Sequence, residues 1–339
     1  MSMKKFTNLL LAAVMCTGIA ACGSSDAASA SEKPEPAAET ASSEASNENE
    51  SYLVGTLQFV QHAALDAATQ GFVDVLTEEF GDKVTFDSQN ASGDVATCSV
   101  IANSLVNEGV DLILANATPA LQASAAATNQ IPILGTAVTE YGTALDIDNF
   151  SGTVGGNISG TSDLAPLDQQ AALFDELIPD AVNIGIVFCN AEANSVYQAN
   201  VVEKALTDAG KTVTIYTFAD TNDVSAVMQQ ACSEQDALYI PTDNTAASCT
   251  ELIDSVALAA GVPIIAGEEG IAAGCGIATL SINYYDLGRT TGEMAVRILK
   301  GEDISTMPIE YFPDPVKKYV PARCEALGIT VPDGFAVIE

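Results

Sequence analysis

The residues of this chain that invite a chemical reading are short polar phrases, each set directly after an apolar run. They are Gln58-Phe59-Val60-Gln61-His62, Asn116-Ala117-Thr118-Pro119, Gly135-Thr136-Ala137, Thr161-Ser162-Asp163, the stretch from Asn190 to Ser195, Pro241-Thr242-Asp243-Asn244, Gly267-Glu268-Glu269-Gly270 and Tyr284-Tyr285-Asp286. They hold hydroxyls, amides, carboxylates and rings, but no lysine or arginine. Such a set can recognise a small molecule through hydrogen bonds and is poor equipment for catalysis. There is no G-x-S-x-G elbow, no phosphate loop and no H-E-x-x-H. The single histidine, His62, leaves no His-rich metal site, and none of the eight cysteines forms a C-x-x-C pair. Glu268 and Glu269 are sequence neighbours, so their side chains diverge and cannot flank a bond as an acid/base pair. No enzyme, cofactor or metal site is expected.

The elements that would position these phrases form an internal repeat. Over 53–135, the strand Leu53-Val54-Gly55-Thr56-Leu57 precedes a helical spacing of Leu65, Ala68, Phe72, Val75 and Phe80, then a strand at Val84-Thr85-Phe86. A turn and cap at Asn90, Ser92, Gly93 and Asp94 opens a helix through Ile101 and Leu105, followed by the strand Asp111-Leu112-Ile113-Leu114-Ala115 and, after a further helix, Ile131-Pro132-Ile133-Leu134-Gly135. Over 183–267 the same order returns, from Ile184-Gly185-Ile186-Val187-Phe188 to Asp236-Ala237-Leu238-Tyr239-Ile240 and Val262-Pro263-Ile264-Ile265-Ala266-Gly267. Strands that are apolar throughout and alternate with helices are buried on both faces, which predicts an α/β fold of two doubly wound parallel-sheet lobes. In such sheets ligands bind beyond the carboxyl ends of the strands, where every one of the polar phrases lies. Gly-, Ser- and Thr-rich stretches at 150–162 and 276–283 read as crossovers at a hinge, with a third expected after about 305. The expected lobes are 51–158 with 283–308, and 159–282 with 309–339.

Ahead of this body, Lys4 and Lys5 precede a short apolar run from Leu9 to Val14, and Ile19-Ala20-Ala21-Cys22 looks like a bacterial lipobox. The expectation is an export signal over 1–21, lipidation at Cys22, and a disordered acidic tether over 22–50 that holds almost no residue able to build a core. That places the protein outside the cytoplasm, anchored to the bacterial cell membrane through its N-terminal lipid. The formal charge of −33, from 45 acidic and 12 basic residues, argues against nucleic acid as a partner. Six cysteines remain in the body: Cys98, Cys189, Cys232, Cys249, Cys275 and Cys324. Export permits disulfides among them, most readily in the second lobe, while buried free thiols are the alternative.

The chain resembles the ABC-transporter substrate-binding proteins whose characterised members take up tryptophan and other aromatic amino acids. The resemblance runs over essentially all of 51–330. It rests on Leu57-Gln58-Phe59-Val60-Gln61-His62, Ala115-Asn116-Ala117-Thr118-Pro119, Gly160-Thr161-Ser162-Asp163-Leu164, Glu192-Ala193-Asn194-Ser195, Pro241-Thr242-Asp243-Asn244-Thr245, Gly267-Glu268-Glu269-Gly270 and Asn283-Tyr284-Tyr285-Asp286-Leu287-Gly288-Arg289. Ala63 departs from the proline that usually follows the histidine. The resemblance implies a type I periplasmic-binding-protein fold with a three-crossover hinge, a monomer that works with an ABC permease and ATPase, and an aromatic amino acid as ligand.

The expected ligand-binding residues are Gln58, Phe59, Thr118, Thr136, Ala137, Ser162, Asp163, Asn190, Asn194, Ser195, Asp243, Asn244, Glu268 and Tyr284. Thr118, Thr136, Ala137 and Ser162 would receive the carboxylate, and Asp243, with Glu268 as substitute, the ammonium. Phe59 would stack on the ring while Gln58, Asn190, Asn194 and Asn244 orient it. Helix capping is the alternative for Thr118, Ser162 and Asp243. His62 is expected to be a packed loop residue. A sugar- or nucleoside-binding relative of the same fold, or a ligand sensor, is the competing reading, although sugar clefts commonly use tryptophan and this chain has none.

Overall fold

A computed structural model of the chain describes residues 51–312 and 314–338; the expected signal, Cys22 and the tether lie outside the described residues. The first lobe runs β1 (Tyr52–Gln58), α1 (Ala63–Phe80), β2 (Val84–Asn90), α2 (Val95–Glu108), β3 (Leu112–Asn116), α3 (Thr118–Ala127), β4 (Ile133–Val138), α4 (Tyr141–Ala144) and β5 (Ile158–Ser162). The second runs α5 (Leu167–Leu177), β6 (Asn183–Cys189), α6 (Ala193–Asp208), β7 (Thr212–Phe218), α7 (Val224–Glu234), β8 (Ala237–Ile240), α8 (Asn244–Ala247), α9 (Thr250–Ala260), β9 (Ile264–Ala266), α10 (Glu269–Cys275) and β10 (Ala278–Ser281). The chain then returns to the first lobe for α11 (Tyr284–Leu299) and β11 (Glu310–Tyr311), and ends on the second with β12 (Val316–Tyr319), α12 (Pro321–Ala326) and β13 (Ala336–Val337).

The first sheet has the order β11-β5-β4-β3-β1-β2 and the second β13-β12-β10-β9-β8-β6-β7, parallel except where β12 meets β10. These are two doubly wound lobes with the same winding, the type I periplasmic-binding-protein arrangement, crossed three times at 163–166, 282–283 and 312–315. The expected boundary at 158/159 falls at the start of β5, which pairs with β4, and the boundary at 308/309 falls just before β11, which pairs with β5. The first lobe therefore holds 51–162 and 284–311. Small polar residues made β5 look like a linker, but all five are buried between neighbouring strands.

Each sheet is apolar on both faces because helices cover both. In β3, Leu112 and Leu114 join one core cluster with Phe72 and Met294, while Ile113 and Ala115 join the other with Leu65 and Leu105. In the second lobe Leu238 packs with Val187 and Met228, and Tyr239 with Ile186 and Phe174 on the opposite face. The returning helix α11 is clamped to α1 by glycines: a Cβ on Gly288 would lie 2.0 Å from the Ala68 carbonyl oxygen, and one on Gly71 2.2 Å from that of Tyr285. That close crossing ties the second crossover to the first lobe. All six cysteines of the described residues are free, so the disulfide alternative is not realised. Burial pushes the Cys98 thiol up to about 12 and those of Cys189, Cys232 and Cys249 up to about 11.

Candidate ligand cleft

In each sheet the chain winds one way from its first strand and the other way to the next, and the loops diverge between β1 and β3 and between β6 and β8. That divergence opens a crevice at the carboxyl ends of the strands. On the first lobe it is lined from Gln58, Asn116, Ala117 and Thr118; on the second from Asn190, Asn194, Asp243 and Asn244. The lobes meet here directly. His62 Nε2 lies 3.2 Å from Asn244 Oδ1, and the Tyr284 hydroxyl donates to Asp163 Oδ2 at 2.9 Å across the crossovers. Beside them, between α1 and α10, is a cavity of about 390 Å³ bordered by Ala63, Ala67, Gly270, Ala273 and Tyr284.

The first lobe presents its rim through unusual backbone. Ala117 has φ 87° and ψ 158°, a region almost reserved for glycine. Ala137, with φ 51°, sits where the pairing of β4 with β5 slips register. Directly after Ala117 comes Thr118 at the N-terminus of α3, whose hydroxyl is buried and has no partner. Gln58 is held by its own loop, donating to Val60 O at 2.9 Å and Asp66 Oδ1 at 2.7 Å and accepting from Thr69. Phe59 is 2% exposed and part of the first lobe's core cluster. The Thr136 hydroxyl faces inward, bonded to Thr161 at 3.3 Å and Thr291 at 3.1 Å. Ser162 donates to Thr139 O at 2.8 Å and accepts from the Leu164 N–H at 3.2 Å.

The second lobe presents carboxylates, and both oxygens of Asp243, Glu268 and Glu192 already accept hydrogen bonds within the protein. Asp243 Oδ1 accepts from the Ala246 N–H at 2.8 Å and Oδ2 from the Cys189 N–H at 2.7 Å, with Ser195 adding a further hydrogen bond. It is a helix cap and a strut between β6 and the β8 loop. Glu268 caps α10 through the Gly270 and Ile271 N–H groups at 2.6 and 2.5 Å. Burial pushes the Glu268 carboxyl up to about 7 against those bonds. Burial, and then the nearby Glu192, raise Asp243 as well. Glu269 is the solvated partner, ion-paired with Lys318. Asn190 is exposed at the rim.

Glu192 lies in the polar stretch 190–195, yet sequence reasoning assigns it no role. It is 1% exposed and accepts from Asn244 Nδ2 at 2.6 Å, the Asn244 N–H at 3.1 Å, the Thr245 N–H at 2.9 Å and the Thr245 hydroxyl at 2.7 Å. Asn194 also turns its Nδ2 this way, to Glu192 Oε2 at 3.4 Å and Thr242 O at 2.9 Å. The signal available in sequence was its place in the first turn before α6, which does not reveal partners 52 and 53 residues away.

Asp163 differs from the other acids. It is 5% exposed, its Oδ2 takes the Tyr284 hydroxyl, and its Oδ1 is buried with no partner. Burial raises its pKa, with the Tyr284 and Thr139 hydroxyls opposing. Thr118 Oγ1, Asn194 Oδ1 and His62 Nδ1, from the loops at the strand ends of the two lobes, are likewise buried and without a partner, as are Asn116 Oδ1, Ser124 Oγ, Gln235 Oε1 and Thr279 Oγ1 elsewhere in the described residues. Buried polar groups are nearly always bonded, so each of these atoms is a candidate for contact with a bound molecule or a water.

The model of a family described as ABC transporter substrate binding protein matches residues 53–338. The chain belongs to that family. Its members are binding proteins and not enzymes, and they act outside the cytoplasm. A tyrosine-binding protein of Clostridioides difficile (strain R20291) is 32% identical over 310 residues, covering 90% of this chain and 87% of that one. A Streptococcus pneumoniae ABC domain solved in complex with L-Trp is 32% identical with a TM-score of 0.81, over 85% of this chain and all of that one. A ligand-free, open substrate-binding protein with adhesive properties from Clostridium difficile is 34% identical with a TM-score of 0.65, over 85% of this chain and 99% of that one. At nearly equal identity, this substrate-binding protein overlays better on the ligand-bound relative than on the open one, in keeping with the direct contacts between its lobes. Among the described residues no helix is long and apolar enough to cross a membrane, and no cluster of His, Cys, Asp and Glu could hold a metal ion.

Proposed function

We propose that this protein captures an aromatic α-amino acid between its two lobes and delivers it to an ABC permease. The observation that carries the reading is that Asp163 Oδ1 and Thr118 Oγ1 are both buried and without a partner, an unfilled acceptor and an unfilled hydroxyl. A zwitterion needs both. Asp163 takes the ammonium in a charge-assisted bond, the role expected of Asp243 and Glu268 before their oxygens proved to be engaged in capping. The carboxylate goes to the Thr118 hydroxyl at the N-terminus of α3, which is ten residues long and has Pro119 in its first turn. Thr136 and Ser162 contribute by shaping the strand ends, since their hydroxyls are bonded internally. Phe59 and Tyr284 bound the apolar space for the ring.

The relatives that bind tyrosine and L-Trp support this ligand class. Ligand bridging the lobes stabilises the closed form, because a ligand shifts an equilibrium only by its differential contacts. The protein works as a monomer tethered through lipid on Cys22, and Cys22→Ser should release it from membranes. Calorimetric titration of refolded, ligand-free protein with tryptophan, tyrosine, phenylalanine, a hexose and a nucleoside tests the reading. Binding of one of the three amino acids, with compaction in small-angle scattering, is the expected result; binding of the hexose or nucleoside alone overturns it.

A further inference from the structure

The Glu192 network settles the orientation of two amides and one imidazole. Asn244 gives its Nδ2 to Glu192 Oε2 at 2.6 Å, so its Oδ1 is the atom that faces His62 Nε2 at 3.2 Å. An amide oxygen only accepts, so Nε2 carries the imidazole proton and Nδ1 keeps its lone pair. Asn194 gives its Nδ2 to Glu192 and Thr242, so its Oδ1 is also an acceptor. Both of these acceptors, His62 Nδ1 and Asn194 Oδ1, are buried and have no partner. They lie on opposite lobes and are linked through Asn244 and Glu192.

We propose that His62 Nδ1 and Asn194 Oδ1, held as open acceptors by Glu192, read a hydrogen-bond donor on the ligand's ring, so that the protein selects tyrosine and tryptophan over phenylalanine. The inference rests on the aromatic amino-acid reading above and adds to it what distinguishes one ring from another. A phenol O–H or an indole N–H carries one hydrogen and fills one of these two acceptors or bridges both, whereas a phenyl ring leaves both buried and unpaired, and a site built on such bonds rejects the analogue that lacks the donor. The contact also couples recognition to closure. A donor on Nδ1 fixes the tautomer whose Nε2–H bonds Asn244 of the other lobe, and burial, the largest influence on His62, favours that neutral ring. Glu192 is a positioning residue here and touches no ligand.

The test compares matched pairs by calorimetry on the full ligand-free chain: tyrosine against phenylalanine, and tryptophan against its benzothiophene analogue, which lacks the N–H. The donor-bearing member of each pair should bind roughly tenfold or more tightly. The ratio should fall towards one in His62→Phe, in Asn194→Leu and in their combination, and shrink in Glu192→Gln, whatever happens to the affinity for phenylalanine. Because the chain has a single histidine, ¹⁵N-histidine labelling gives one imidazole signal set in the wild type. Its Nδ1 resonance should move when tyrosine is added and stay when phenylalanine is added, a readout that needs no variant to fold. Equal affinity for tyrosine and phenylalanine in the wild type, or a ratio that survives in the double variant, overturns the inference and leaves the aromatic amino-acid reading standing. Failure of all the aromatic amino acids to bind removes that reading instead.

Discussion

The two lobes share a winding and even a strand-start device, yet they build their halves of the cleft from opposite materials. Asp111 Oδ2 accepts the Leu53 N–H at 2.7 Å in the first lobe, and Asp236 Oδ2 accepts the Asn183 N–H at 2.7 Å in the second, the same strut at the entry to β1 and β6. At the other ends of those strands the likeness stops. The first lobe offers strained backbone at Ala117 and a free hydroxyl at Thr118; the second offers Glu192, Asp243 and Glu268, each 1% exposed and each consumed by N–H donors of its own lobe. A buried carboxylate is therefore no guide to a ligand site until its acceptors have been counted. Three of the four acids at the cleft have both oxygens bonded as struts, and the fourth, Asp163, accepts the Tyr284 hydroxyl on Oδ2 but keeps Oδ1 without a partner.

The strongest way to break that contrast is to neutralise the open acid. Asp163→Asn keeps the shape and an acceptor for the Tyr284 hydroxyl but leaves a buried ammonium without its counter-charge. Amino-acid affinity should fall by on the order of 2–5 kcal/mol, read by calorimetry. The ligand-free melting temperature should hold or rise, since burial already disfavours the ionised form. Unchanged affinity in this variant would put the ammonium elsewhere.

Asp243→Ala is the converse. It strips acceptors from the buried N–H groups of Cys189 and Ala246, and should lower stability by about 2–4 kcal/mol as two donors are left unpaired. Both ligand-free and ligand-bound protein should melt earlier by similar amounts. A variant that lost affinity while keeping its melting temperature would return Asp243 to the ligand.

Much of this architecture is legible in sequence because it is carried by local periodicity. The apolar runs of β1, β3, β6 and β8 and the phrases that follow them locate the cleft rims without any knowledge of the packing. What sequence could not show are partnerships made at long range. Thr136 and Ala137 look equally available at the end of β4, but the Thr136 hydroxyl meets Thr161 and Thr291, 25 and 155 residues away. Phe59 stands in a polar phrase and yet belongs to the core, because the chain turns it under the loop that Ala91 and Gly93 pin to Gln58 and Phe59. Asn190 follows a buried strand and is exposed. The open acceptors on Asp163 and Asn194 are invisible until every neighbour has been placed.

Titration sharpens the contrast between struts and open acid with a smaller effect of predictable sign. Glu268 ionises at about 7 in the folded protein against 4.5 ordinarily, so the folded state keeps a proton that the unfolded chain gives up. Its contribution to stability is present below about 4.5 and is lost as pH rises to about 7. Asp163, raised in the same direction, adds to that slope. Ligand affinity should run the other way, since the ammonium needs ionised Asp163 and binding at low pH must expel its proton. Melting curves and calorimetry in buffers of different ionisation enthalpy, from pH 4 to 8, read the two slopes; parallel slopes would sink the assignment of Asp163.

The smallest effect concerns the backbone of the first lobe. Ala117, at φ 87° and ψ 158°, occupies a conformation that costs a residue with a Cβ on the order of 1–3 kcal/mol, and the surrounding bonds, Ala117 N–H to Thr136 O at 3.0 Å and Leu121 N–H to Ala117 O at 3.0 Å, hold it there. Glycine has no such penalty but loses more freedom on folding, roughly 0.5–1 kcal/mol. Ala117→Gly should therefore stabilise the ligand-free protein by about 1 kcal/mol, seen as a rise in the denaturant midpoint at unchanged slope. The same change loosens the entry into α3, so the Thr118 hydroxyl is less well aimed, and amino-acid affinity should drop by a few-fold. No strained residue flanks the matching strand end of the second lobe, where Asp243 does the positioning with hydrogen bonds. If Ala117→Gly destabilises the protein, the strain is not being held by its surroundings, and the first lobe's rim must be shaped by packing instead.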